Sequence, residues 1–219
     1  IGNPARAKRL FEAITPFRIR WMGQSSLNIA RNDELLSLAA KSGCVGLFIG
    51  FESLLADNLK KVKKNLVNRA ESFMESIKKI HAHGIGIEGA FIFGFDEDDP
   101  GVFKRTVEFA KRAKLAVAQF GILTPFPGTL IRKQLEETGR IVTQDWSKYT
   151  ISNAVFEPMR MTREKLQEGF NWAYREFYSY RSILSRLALP RLRRNVPLFF
   201  GMNLSFRRIT GHLAHRAAP

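Results

Sequence analysis

The sequence predicts an α/β fold: a partial (β/α) barrel of parallel strands followed by a C-terminal helical extension. Three observations predict it. Apolar runs of strand length alternate with amphipathic helical segments four times in succession, and parallel neighbours are the pairs that need such crossovers. The runs are nearly continuous rather than alternating, as in strands covered on both faces. Polar and glycine-rich residues collect where the runs end, which is where barrels and doubly wound sheets both place their sites. No G-x-G-x-x-G follows a strand, and "GIGIEG" lies before and within one, which favours the barrel over a dinucleotide fold.

Each element has its own warrant. "FRIRWMGQS" (Phe17 to Ser25) reads as a first strand with a polar end, and "NDELLSLAAKSG" as a helix that begins at Asn32 or Asp33 and stops at Gly43. "CVGLFIGFES" is the second strand. A lysine-rich linker leads to a helix over 69–83, where Phe73, Met74, Ile77 and Ile80 recur at helical spacing and Gly84 ends the run. The third strand is "IGIEGAFIFGF". Beyond its acidic loop, Asp99 and Pro100 supply an N-cap and a first-turn proline to a helix striped by Val102, Phe103, Val107 and Ala110. "AVAQFGILTPF" and "GTLIRKQLEETG" make the fourth unit. From Thr162 to about Leu187, apolar residues at 166, 170, 173, 174, 177 and 184 form the stripe of a helix that packs on the barrel. The expected division is 1–150 for the barrel units, 151–187 for the extension and 188–219 for a basic amphipathic tail.

The net charge of +15 invites a nucleic-acid reading. From Arg175 onward, however, nine arginines face one acid, Glu176, so about half of the excess belongs to the tail. "PRLRRNVPLFFGMNLSFRRITGHL" suits peripheral contact with an anionic membrane surface, or docking inside the molecule. RNA ranks below both, because the interleaved residues are aliphatic as often as aromatic. The longest apolar runs, "AFIFGF" and "VPLFFGM", fall far short of the roughly 18 residues of a membrane span. "IGNPARAKRL" has no apolar signal core and no initiating Met, so a cytoplasmic chain, membrane-associated at most through its tail and cut from something longer, is expected. The single cysteine, Cys44, excludes an internal disulfide and any multi-cysteine metal site made by this chain alone. His81 and His83 fall at a helix end, where positive charge complements the dipole, and no Ser-His-Asp, H-E-x-x-H or phosphate-loop pattern occurs.

The ordered series "RIRWMGQSSLNIA", "SGCVGLFIGFESL", "GIGIEGAFIFGFDEDD" and "QFGILTPFPGT" resembles the later portion of radical S-adenosylmethionine enzymes, most closely the class with a cobalamin-binding domain upstream. The resemblance runs from Ile1 to about Lys148 and, less specifically, through "MTREKLQEGFNWAYREFYSYRS". It implies a six-unit partial barrel of which about four units are present here. It also implies S-adenosylmethionine, a [4Fe-4S] cluster and cobalamin as cofactors, and a small or lipid-like substrate. The cluster of that class is held by a C-x-x-x-C-x-x-C loop that this chain lacks. The cluster unit is therefore expected upstream of Ile1, the chain alone is expected to be inert, and its first strand is expected to offer an open, adhesive edge. The competing reading is a non-catalytic basic module that binds anionic lipid or RNA.

The candidate site residues are the strand ends. Glu52, in "GFES", suits an ammonium or hydroxyl donor, against a bland pairing with a nearby lysine. Gln24, Ser25 and Ser53 stand beside it, with strand-end capping as their alternative. Gly89 and Gly94 permit close approach by a flat ligand or by another backbone, and Ile92 or Phe93 would pack on a purine. Asp96, nearest the strand, is the acid assigned to the site; Asp99 is read as a helix cap, and Glu97 and Asp98 as solvated. Leu123, Thr124 and Pro125 would offer backbone to adenine, with Pro125, Pro127 and Gly128 fixing the turn. No catalytic residue and no metal ligand is assigned within the chain.

Overall fold

The structure is a computed structural model that describes residues 1–55 and 70–216; the lysine-rich linker lies outside these residues. Its first element is a helix the sequence reading did not anticipate, α1 (Pro4–Ile14). Asn3 caps it by accepting the Arg6 N–H at 3.0 Å, and Pro4 occupies the first helical position. A short 3-10 turn (Thr15–Phe17) ending at left-handed Arg18 (φ 51°) takes the start of the expected first strand, and β1 is only Trp21–Gln24. Next come α2 (Asp33–Lys41), β2 (Cys44–Glu52), α3 (Ala70–Ala82), β3 (Gly86–Phe93), α4 (Val102–Arg112), β4 (Val117–Ile122) and α5 (Leu130–Glu137).

All neighbouring strands are parallel, and the sheet order is β1-β2-β3-β4. Sequential order is that of a barrel sector; a doubly wound sheet would reverse at a switch point. The helix-facing side is an aromatic layer. Phe51, Phe91, Phe120 and Phe93 stack in series, with centroids 5.2, 5.9 and 5.7 Å apart. Phe73 of α3 and Phe103 and Phe109 of α4 meet these rings edge-on. Edge-to-face and offset geometry adds about 0.5–1.5 kcal/mol per pair beyond burial.

The long helix expected from Thr162 to Leu187 is two: α6 (Arg163–Phe177) and α7 (Tyr180–Leu187). Ser179 interrupts it, since its side chain accepts the Ser182 N–H and so starts a new helix. Leu184, assigned above to the buried stripe, lies beyond the break and is 64% exposed, while the other five stripe residues are buried.

The extension completes the sheet. Among the described residues no strand flanks β4 on its outer side, and its backbone groups there are taken by side chains and, at Ile122, by the backbone of Ile151. Tyr174 Oη donates to Phe120 O (2.9 Å) and accepts from Phe120 N (3.1 Å). Tyr178 Oη does the same at Ala118 (2.7 and 3.2 Å). Arg186 and Asn203 both donate to Ala116 O (3.0 and 2.9 Å), and Ile122 N donates to Ile151 O (2.6 Å). A fifth strand has nothing left to pair with on this side. On the β1 side, Leu10, Phe17, Ile19 and Met22 are exposed.

The tail is part of the core. A 3-10 segment (Pro190–Asn195) leads to α8 (Val196–Arg216), and Leu192, Phe199 and Asn203 are buried. Arg191 donates to Ala82 O at 2.6 Å. Of the two readings given above for the tail, Leu192 and Phe199 follow internal docking, while Leu198 stays exposed; among the described residues no helix is long and apolar enough to cross a membrane.

His81 corrects a further expectation. It does lie in the last turn of α3, but burial pulls its imidazole down to about 4, and its Nε2 finds no hydrogen-bond partner among the described residues. The ring is neutral at pH 7 and does not serve the helix dipole. The unfolded chain, with an ordinary imidazole near 6.5, takes the proton first, so stability falls as pH drops from about 6.5 towards 4, by on the order of 3 kcal/mol. Urea unfolding at pH 7 and pH 4.5 should show this loss, and His81→Leu should remove that share of it. An unchanged pH dependence in the variant would assign the loss to other groups.

Candidate functional site

Paired residues on neighbouring strands share a face of the sheet, so the register orders the inner face into rows. The lowest row is Met22, Gly46 and Gly86. Phe199 of α8 covers it: a methyl added at Gly86 would fall 2.4 Å from its ring. Above lie Gln24, Phe48, Glu88 and Val117, then Gly50, Ala90 and Gln119, then Ile92 and Gly121. In β2 and β3 the half-exposed positions Phe48, Gly50, Ala90 and Ile92 lie on this face, and Glu52, beyond a register shift that pairs it with Phe91, lies at the strand end. The result is a trough of small residues between the side chains of Phe48 and Ile92, open towards the strand ends. Flat ligands approach such backbone closely.

The rim is shaped by two turns. At the end of β2, Glu52 has φ 65°, and the Ser53 N–H donates to Phe51 O at 2.9 Å, which closes a γ-turn centred on Glu52. Turns of this positive-φ kind are rare and strained, and strain of this kind collects at ligand sites. At the end of β3, Gly94 has φ 101°, and its N–H and that of Phe95 both donate to Asp98 Oδ2 (2.9 and 3.1 Å). Leu123 N donates to Phe93 O at 2.8 Å, which ties this turn to the exit of β4.

The structure separates the candidate residues. Gln24, Glu52 and Ile92 lie on the open face or its rim, and Gly94, Leu123, Thr124 and Pro125 form the backbone above β3 and β4. Ser25 serves the ladder, donating from its N–H to Phe48 O (3.0 Å) and from Oγ to Ser26 O (3.1 Å). Ser53 Oγ accepts the Leu55 N–H (3.1 Å), and Thr124 Oγ1 donates to Ile122 O and Thr150 O (3.0 and 3.2 Å). Asp96 pairs with Arg140 at 2.8 Å and braces the loop.

Two assignments need correcting. The Phe93 ring faces the helices, 4.9 Å from Phe103, so of the pair Ile92 is the one on the inner face. Gly89 also faces the helices: a methyl there would fall 2.6 Å from Leu115 and 3.0 Å from Phe51, so the glycine serves packing. Among the acids, Asp98 is buried rather than solvated, Glu97 pairs with Arg160, and Asp99 accepts the Gly101 N–H (2.7 Å) while Gly101 takes the cap position of α4. Sequence reasoning passed over Glu88 and Gln119. The available signal was a single acid and a single amide inside otherwise apolar runs.

No protein-family model matches the chain. It is 36% identical over 185 residues to bacteriochlorophyllide d C-12(1)-methyltransferase of Chlorobaculum tepidum, covering 84% of this chain and 40% of that protein. In three dimensions it matches TsrM of Kitasatospora setae, a radical S-adenosylmethionine methyltransferase. The match to TsrM with cobalamin and a [4Fe-4S] cluster bound has a TM-score of 0.53 at 17% identity, over 84% of this chain and 41% of that one. The match to TsrM with tryptophan and an S-adenosylmethionine analogue has a TM-score of 0.52 at 21% identity, over 61% and 28%. The chain has the radical S-adenosylmethionine fold. It spans about 40% of the length of the curated relative. In radical S-adenosylmethionine terms, the four strands are a barrel sector with its mouth at the Glu52, Gly94 and Leu123 turns and its base under Phe199.

Proposed function

We propose that this chain is the S-adenosylmethionine-binding part of a [4Fe-4S] radical enzyme, associated with an upstream cobalamin-binding domain, that methylates an unactivated carbon of a flat, largely apolar substrate of the bacteriochlorophyllide kind. The observation that carries the proposal is the rim: a strained Glu52 turn and a Gly94 turn at one end of a single half-exposed sheet face, above the small residues Gly50, Ala90 and Gly121. When bound, S-adenosylmethionine supplies the methyl or adenosyl group. The chain's own residues orient it and exclude water: Glu52 at its polar end, Ile92 and the backbone at 121–124 against the adenine.

The cluster does not fit this chain. A [4Fe-4S] centre needs several thiolates, and the single Cys44 is buried, with its thiol pushed up to about 12 by burial. Cyclisation and rearrangement are run on the same architecture, and the mass of the product separates them from methylation.

Glu52→Gly in the full-length protein, reconstituted with iron and sulfide, tests the proposal. Glycine adopts positive φ without strain, so the turn should keep its backbone shape while S-adenosylmethionine affinity, measured by calorimetry, falls about tenfold through loss of a charge-assisted hydrogen bond. A reconstituted wild type that takes up no S-adenosylmethionine would overturn the reading.

A further inference from the structure

Below the rim, one polar pair has no part in the roles given above. Glu88 is buried in β3, and Gln119 of β4 lies one row nearer the mouth, with its Nε2 donating to Glu88 Oε1 at 2.9 Å. Phe199 closes the sheet beneath them, Phe48 stands beside Glu88, Ile92 lies nearer the mouth, and Gly50, Ala90 and Gly121 leave space above. Among the described residues, no further hydrogen bond reaches Glu88 Oε2 or Gln119 Oε1, and no cation pairs with the carboxyl.

Glu88 Oε2 is not among the fully buried unpaired atoms of the described residues, so the carboxyl opens on the trough. Burial raises its proton affinity, and the Gln119 hydrogen bond offsets that only in part. The carboxyl offers Oε2, while Gln119 presents its amide oxygen and second N–H beside it. Together the two groups match an uncharged oxygen function, and a ligand carboxylate in the same place would set a negative charge against the Glu88 carboxyl in a partly desolvated site.

We infer that Glu88 and Gln119 form the polar floor of the substrate pocket, where they hold a hydroxyl or ketone oxygen of an otherwise apolar substrate and turn carboxylates away. The inference rests on the radical S-adenosylmethionine reading of the rim and adds the group that sets substrate choice and orientation. Pockets built to hydrogen-bond a substrate oxygen discriminate strongly, because an ill-matched ligand leaves buried polar atoms unpaired.

The test uses the full-length, reconstituted protein with two probes: S-adenosylmethionine by calorimetry and bacteriochlorophyllide d by absorbance titration. Glu88→Leu should weaken bacteriochlorophyllide d at least about tenfold and leave S-adenosylmethionine affinity within about twofold. Gln119→Leu, at a half-exposed position, should give the same split and guards against misfolding of the first variant. Glu88→Gln, which keeps hydrogen-bonding groups in the same place, should retain most of the bacteriochlorophyllide d affinity that Glu88→Leu loses. A folded Glu88→Leu or Gln119→Leu protein with unchanged bacteriochlorophyllide d affinity overturns the inference. So does a wild type that binds S-adenosylmethionine but not bacteriochlorophyllide d. Failure of the wild type to bind S-adenosylmethionine instead brings down the reading of the rim.

Discussion

Arg186→Ala is expected to cost about 3–5 kcal/mol of stability, from several buried oxygens left without a donor and the cavity that truncation opens, and to lower the melting temperature by roughly 10 °C for a chain of this size. Arg186 is 0% exposed and has no acid partner among the described residues. Its guanidinium is instead held by oxygens: Nη1 donates to Leu115 O and Ala116 O (2.7 and 3.0 Å), Nη2 to Phe177 O and Asn203 Oδ1 (3.1 and 2.7 Å), and Nε to Ser182 Oγ (3.1 Å). Phe177 is the last residue of α6, so its carbonyl carries the negative end of that helix dipole. The charge also sits 3.7 Å over the Phe177 ring. Burial draws the guanidinium down to about 10, well above neutrality, so the site holds a cation at pH 7. Truncation leaves several buried oxygens without a donor and opens a cavity. Arg186→Lys keeps the charge without the planar fork and should fall between the two. Urea unfolding monitored by circular dichroism reads the effect, and a loss under about 1 kcal/mol would mean that water restores these bonds and that α7 and α8 are not integral to the sheet.

The same residue shows why the extension belongs to the barrel. A sector of parallel strands leaves one ladder of N–H and C=O groups unpaired on each side, and on the β4 side those groups meet Arg186, Asn203, Tyr178 and Tyr174 in turn along the strand. The tyrosines must be buried to reach the ladder, and burial raises both phenols above their ordinary range, so they remain neutral and both donate and accept. Closing the edge with side chains from α6, the α6–α7 junction, α7 and α8 also holds the end of β4, from which Leu123 reaches across to Phe93. Packing in the extension is thereby linked to the geometry of the rim.

What the sequence made legible follows from which signals carry phase. Helical stripes do, and Phe73, Ile77 and Ile80 of α3 and Val102, Phe103, Val107 and Ala110 of α4 are buried as their spacing required. A continuous apolar run does not: "AFIFGF" says strand but not which side chains face the helices, and so Phe93 and Ile92 were equally eligible for the ligand face until the register separated them. The acids "DEDD" posed a similar problem. Which one turns inward depends on a left-handed Gly94 that aims two N–H groups at a single oxygen, a three-dimensional condition that composition does not express. The break at Ser179 is local chemistry overruling a stripe that continues past it. Glu88, by contrast, was visible as the single acid inside a parallel strand, and it lacked only a partner in view, since Gln119 stands on the next strand.

Asp98→Ala is expected to cost about 2–4 kcal/mol and to lower S-adenosylmethionine affinity about tenfold or more, which is about 1.4 kcal/mol. The carboxylate is 0% exposed and accepts from both Gly94 N and Phe95 N, while the Asp98 N–H returns to Phe95 O at 3.0 Å. The turn is thus closed in both directions around one side chain. Removing the carboxylate leaves two buried N–H groups unpaired and frees Gly94, whose φ of 101° suits an open glycine chain less well once nothing holds it. The backbone that leaves β3 would then relax away from the Leu123 crossing, and the proposed adenine surface would lose its shape. Asp98→Asn keeps one acceptor oxygen and should recover more than half of both losses. Unfolding of the chain reports the first effect and calorimetry with the reconstituted full-length protein the second. A destabilised Asp98→Ala variant that still binds S-adenosylmethionine as the wild type does would show that the β3 turn takes no part in positioning the ligand, and the rim proposed here would have to be redrawn around Glu52 alone.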